Sequence, residues 1–250
     1  MFKMILNGRT GTEVRVDVTY KKIDDVISCV NAVSITRTIS ETYAIFVFPE
    51  NGELEITGNI EVTKLSVFGN GVEAIDIDGV ESLESLEGGF SDLMSLKKFT
   101  IGKTPLLRNI ERAWDACLVL EEINYVEFID IEEASYAFRN CRELKKLGDL
   151  NLSAAEDAVS IFRNCYKLKS IGKLDISSAD SLYNTFQCCY EIETIEELKL
   201  GIVKYMARTF KDCKVIKHNL LLGMNTSELD SNLIEDEIFT GSSFEGCDSL

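Results

Sequence analysis

Cys117, Cys141, Cys165, Cys189 and Cys213 follow one another at a constant interval of 24. An aromatic residue stands three places before each, at Trp114, Phe138, Phe162, Phe186 and Phe210. An aliphatic residue stands three places after each, at Leu120, Leu144, Leu168, Ile192 and Ile216. Three further on come Ile123, Leu147, Ile171 and Ile195. Pairs spaced by two then follow: Val126 and Phe128, Leu150 and Leu152, Leu174 and Ile176, Leu198 and Leu200. A fixed period of this length means stacking, in which each coil buries its apolar residues against the coils above and below. A deletion inside a coil would break every ladder at once, whereas a loop can lengthen on the outside.

Phe90, Leu93, Leu96, Phe99 and Ile101 form an earlier copy, with leucine in the cysteine position and an apolar pair that reads as three places early. Ile75 and Ile77 lie one further period back. Phe244, Cys247 and Leu250 restore the unit after an interval of one period plus ten from Cys213, with the insertion placed in GMNTSELDSNLIEDEI. About seven coils are expected.

Within a coil the paired apolar residues alternate as in a short strand, and successive coils align these strands in a parallel sheet. Ala158, Ile161, Phe162 and Cys165, like Leu182, Phe186 and Cys189, are spaced as on a helix, which predicts one or two helical turns on the opposite side. Residues 1 to about 60 differ. They hold alternating runs such as EVRVDV, YAIFVF and ELEI, with Asn51-Gly52 as a hairpin turn signal and KKIDDVISCV as a short helix. The expected fold is α/β: a leucine-rich-repeat solenoid of parallel strands and short helical turns over 63–250, preceded by a small β-rich N-terminal domain over 1–62. Leu65/Val67 and Ile75/Ile77 fit either part.

The pieces AFRNCRELKKL, IFRNCYKLKSI, TFQCCYEIETI and TFKDCKVIKHN resemble the BspA-like leucine-rich repeats of bacterial surface proteins and related microbial and phage proteins. The resemblance spans about residues 85–250. It implies adhesion or protein interaction without naming a ligand.

Formal net charge is −16, which repels phosphate backbones and acidic membranes, so nucleic acid is not an expected partner. No apolar run approaches the ~18 residues that cross a bilayer. The N-terminus MFKMILNGRTGTEVR carries no export signal, so the 8 cysteines are expected to be reduced. Phage particle proteins are assembled inside the cell and released by lysis. The expected setting is therefore a virion component assembled in the host cytoplasm; the alternative is a cell-surface adhesin.

The cysteines sit one coil apart and lack C-x-x-C spacing, so they read as small buried apolar side chains rather than metal ligands. His218 is the sole histidine, and neither G-x-S-x-G nor a Walker motif is present. No enzyme activity and no cofactor are expected. Asp130, Glu132 and Glu133 read as a solvated face rather than a calcium loop. Basic residues recur in register: Arg139, Arg163 and Lys211 just after the aromatic, and Lys97, Lys145, Lys169 and Lys217 just after the aliphatic residue. Of these, Arg139, Arg163, Lys211, Lys145, Lys169 and Lys217 are the candidate partner-binding residues on a shared edge, for a protein or a surface glycan, in a homo-oligomer or multi-protein assembly. The competing readings are that these cations only relieve acidic self-repulsion, or that apolar insertion residues Met224, Leu229, Leu233 and Ile234 make the contact.

Overall fold

The computed structural model describes residues 1–20, 28–30, 35–37, 43–58, 60–125, 127–214 and 245–247. Lys217, His218, Phe244, Leu250 and the insertion residues Met224, Leu229, Leu233 and Ile234 lie outside them, as does Val126.

The N-terminal part is a pair of antiparallel sheets. Strand β1 (Phe2–Gly8) pairs with β6 (Glu53–Gly58) and β8 (Val72–Asp78), and β6 also takes β3 (Ser28–Val30). Strand β2 (Glu13–Tyr20) pairs with β5 (Tyr43–Val47) and β7 (Val62–Phe68), and β5 takes β4 (Ile35–Arg37). Alternate residues of β1, β2 and β6, including Met4, Leu6, Val14, Val16, Leu54 and Ile56, are buried. Sequence alternation is thus converted directly into a two-layer core. Two expectations change here. The end of KKIDDVISCV is strand β3, not helix. The turn at Asn51-Gly52 exists, with the Gly52 N–H bonded to Pro49 O at 2.9 Å, but it carries the chain from one sheet to the other. A hairpin would have joined two paired strands.

The solenoid follows without a break in hydrogen bonding. β8 is antiparallel to β1 and parallel to β9 (Lys98–Ile101), which is parallel to β10 (Glu122–Tyr125). On another side, Lys64 of β7 bridges to Ser85, Ser85 to Asn109, and Asn109 to Glu133. Leu65/Val67 and Ile75/Ile77 therefore serve both parts. The β7–β8 segment, one strand in each sheet, is at once the last piece of the sandwich and the first rung of the stack.

Five turns of the repeat separate Phe90 from Phe210, and Glu245–Cys247 opens a further one. The Asp212 N–H bonds Glu245 O, and Cys247 donates to Phe210 O. The far-end cysteine therefore rejoins the stack after its insertion. Phe99 and Ile101 align with Ile123 and Tyr125, not with Val126 and Phe128. The early copy is thus in phase at its strand, and its apolar pair falls three places before the register of the later pair Leu174 and Ile176.

Among the described residues there is no helix, which corrects the α/β reading: this is a β-solenoid with a β-rich cap. The side expected to be helical is a chain of four-residue turns. N–H groups bond three residues back, as in Ala113 to Ile110 and Cys117 to Trp114, repeated as Ala137 to Ala134 and Cys141 to Phe138. The third residue of each turn has positive φ: Gly88, Arg112, Tyr136, Ser160, Asn184 and Arg208 in one file, and Asp92, Ala116, Asn140, Asn164, Cys188 and Asp212 in the other. Intervening N–H groups cross to the next coil, as Trp114 to Ala137 O and Ala116 to Arg139 O. Four-residue turns bring apolar side chains inward at intervals of three and four, so they imitate the helical spacing. A helix would need negative φ throughout.

Inside, Phe90, Trp114, Phe138, Phe162, Phe186 and Phe210 form one stack with ring centroids 5.1–6.1 Å apart. Each thiol of the 24-residue ladder donates to the carbonyl of the aromatic residue one coil earlier: Cys117 to Phe90, Cys141 to Trp114, Cys165 to Phe138, Cys189 to Phe162 and Cys213 to Phe186, at 3.0–3.1 Å. The thiols are therefore more than apolar filler. They add a second hydrogen bond to carbonyls that, from Trp114 to Phe186, already accept the cysteine N–H of their own turn.

Candidate functional site

The recurring basic residues divide into two rows. In the first, the positions after the aromatic are Asp115, Arg139, Arg163, Gln187 and Lys211. Arg139 forks onto Asp115, with Nε 2.9 Å from Oδ1, and its guanidinium lies 4.8 Å from the Tyr136 ring. Donation to the Asp115 carboxylate raises the Arg139 pKa further, so its charge is fixed. Lys211 meets Glu245 at 2.6 Å. Arg163 forms no ion pair among the described residues, and its Nε is buried without a partner.

Among the described residues the second row reads Glu73, Lys97, Glu121, Lys145, Lys169 and Glu193, with both signs equally represented. Lys97 pairs with Glu73, Lys145 with Glu121, and Lys169 with Glu191. Lys145 and Lys169 are brought together, the Lys169 N–H bonding Lys145 O at 2.8 Å. Carboxylates on neighbouring coils neutralise this row, so it is a band of alternating charge rather than a positive stripe. Of the acidic trio, Glu132 faces Arg108 at 3.9 Å and Glu133 joins the bridge to Asn109. Among the described residues no group of histidine, cysteine or acidic side chains is arranged to hold a metal ion. They include no helix long and apolar enough to cross a membrane.

A concave feature lies on the strand side, where the sheet is interrupted. One sheet ends at β10; the next begins with β11 (Lys146–Leu147), β12 (Leu150–Asn151), β13 (Ser170–Ile176) and β14 (Thr194–Leu200). The cause is a change of pleat. In β9 the buried residues are Phe99 and Ile101, two apart. In β13 they are Ile171, Leu174 and Ile176, with two outward residues inserted after Ile171. Gly172 permits that detour, because a Cβ there would stand 3.0 Å from the backbone of Gly148 and against the Asp149 carboxylate. The coil containing Ile123 is caught between the two patterns, and neighbouring backbones part.

A cleft of about 750 Å3 opens at this junction. Tyr125 and Phe128 stack at one wall, 4.3 Å between centroids. The Tyr125 hydroxyl donates to Asp149 O at 2.9 Å, and burial keeps the phenol well above its usual pKa, so it remains a donor. The Asp149 carboxylate accepts from the Lys173 backbone N–H at 2.9 Å. Asn124, Glu127, Asn151, Lys173 and Glu196 complete a polar lining of both signs. Glu127, Asp149 and Asp175 lie on the strand side as well. Tyr125 was not singled out in the sequence, although its equivalents one, two and three coils later are Asp149, Lys173 and Glu197. That lone aromatic among charged equivalents was the available signal.

No family model, no curated protein and no solved structure matches this chain.

Proposed function

We propose that the chain is a non-catalytic interaction protein that engages a protein or surface-glycan partner through the cleft at the sheet junction. The observation that carries this reading is the break itself. Stacking alone would favour one continuous sheet. Here a single coil departs from the repeat, and it does so with an aromatic pair over a polar cleft built from three successive coils. Concave surfaces with an aromatic wall and a few fixed polar groups are the usual form of a recognition site.

The setting proposed for it is a virion component assembled in the host cytoplasm, with a cell-surface adhesin as the second setting. Both come from the resemblance of the repeat. The test is site-specific photocrosslinking in the producing cells. A photoreactive residue replacing Asn151 at the cleft should give one discrete adduct, while the same residue replacing Glu156 outside the cleft should not. Equal labelling from both sites, or none from Asn151, overturns the cleft. Recovery of the chain with purified particles supports the first setting, and its recovery in the cell envelope supports the second.

A further inference from the structure

Independently of the cleft, the row after the aromatics contains one arginine, Arg163, that forms no ion pair among the described residues. Hydrogen bonds from the Phe162 N–H to Thr185 O (2.9 Å) and from the Asn164 N–H to Gln187 O (2.8 Å) bracket Arg163 and set it against the turn Asn184–Gln187 of the next coil. One coil earlier, Arg139 finds a carboxylate at the same position, Asp115. Arg163 has no such partner: the residue below it in the row is Arg139, a like charge, and the residue above is Gln187, a neutral amide. Five buried side-chain polar atoms among the described residues have no hydrogen-bond partner, and three belong to Arg163 and to the turn it is set against: Arg163 Nε, Asn184 Oδ1 and Gln187 Oε1. Asn184 and Gln187 are 4% and 9% exposed, so water does not readily serve them. An amide presents its N–H2 group as readily as its oxygen after a half-turn of the side chain, which would add donors beside the guanidinium.

We propose that Arg163, with Gln187 and Asn184 of the next coil, binds an oxyanion, a carboxylate or phosphate group presented by a ligand. A half-buried guanidinium fork suits either group, and a buried setting strengthens the contact beyond that of a surface lysine. In a chain of net charge −16 such a position is selective, because most of the surface repels anions.

The test uses the full chain and two probes, inorganic phosphate and acetate, each against sodium chloride at matched ionic strength. One or both should raise Tm saturably, and the more effective probe identifies which group is preferred. Arg163→Gln should abolish the effect, and Arg163→Lys, which keeps charge without the fork, should weaken it. Arg112→Gln, which removes an exposed arginine beside Glu111, should leave it intact. No saturable shift in the native chain, or an equal shift in Arg163→Gln, overturns the proposal. Should Arg163→Gln fail to fold, the native chain still decides. Titration with either probe should move one arginine Nε–H resonance in the NMR spectrum, and unmoved resonances overturn the proposal.

Discussion

At the scale of single residues, the solenoid rests on two ladders that share one turn: the stacked ring and the thiol three places later. Phe162 is fully buried between Phe138 and Phe186. Phe162→Ala is expected to cost about 3–5 kcal/mol in denaturant unfolding; a loss under about 1 kcal/mol would contradict the ladder. The thiols impose a dependence on pH. Burial pushes Cys117, Cys141, Cys165, Cys189 and Cys213 well above their ordinary value of 9.0. Below pH 9 folded and unfolded chains hold the same thiol protons, and the stabilisation is fully present. Above it the unfolded chain releases protons that the folded chain retains, so stability falls as pH rises, by about 1.4 kcal/mol per thiol per pH unit. Unfolding followed from pH 8 to 10.5 should show this limb, and Cys165→Ala should make it shallower by one thiol's share. An identical slope in the variant would remove Cys165 from the account. The motif F-x-x-C was plain in the sequence, but the bond from each thiol to a carbonyl was not. Its acceptor is a backbone group 27 positions earlier, which no side-chain pattern reports.

At the scale of elements, the strand side was legible and the turn side was misread. Strand β13 buries Ile171, Leu174 and Ile176, residues that the period had already put in line. The turns were mistaken for helix because their inward spacing is the same, and because most residues at positive φ are not glycine. The asparagine or aspartate before the cysteine at Asn140, Asn164 and Asp212 was the overlooked sign, since these residues tolerate a left-handed backbone best after glycine. Ala116 holds the same conformation at φ 60 without that tolerance. Ala116→Gly should therefore stabilise the chain by about 0.5–1 kcal/mol, measured by denaturant midpoint. Destabilisation would mean that this turn is not left-handed. Charge rungs differ among themselves in a similar way. Asp115 is 8% exposed and holds Arg139 in a fork, so Asp115→Ala should cost about 1–3 kcal/mol by leaving a half-buried cation unmatched. Lys145→Ala, on an exposed rung, should stay within about 0.5 kcal/mol. Similar losses in the two variants would show that burial does not distinguish the rows. Reversing Arg139 to glutamate would set it against Asp115, so that position tests the fold before it tests binding. The cleft escaped the sequence for a related reason. A change of pleat between Ile101 and Leu174 alters which residues face inward while leaving the period of the repeat untouched.

At the scale of the molecule, the sequence suggests two domains meeting near residue 62, whereas the hydrogen bonds run through that boundary. β8 holds β1 on one side and β9 on the other, and β7 lies against β2 while bridging Ser85 through Lys64. In a stack whose coils touch only their neighbours, the coil next to a rigid cap is the hardest to open, and stability declines with distance from it. Hydrogen exchange read by mass spectrometry should therefore show greatest protection in β1, β8 and β9, and less toward β14. Leu6 is fully buried in β1 and makes no part of the repeat, so it offers a clean perturbation. Leu6→Ala should speed exchange in β8 and in 98–125 together, because the shared sheet opens as one unit, and should change β14 far less. Phe210→Ala should do the reverse, loosening the distal coils and sparing β1. If Leu6→Ala accelerates exchange only before residue 62, the sandwich and solenoid open separately, and the cap does not secure the first coils. If it accelerates all regions equally, the chain opens as a whole, and the neighbour-only picture of its coils fails.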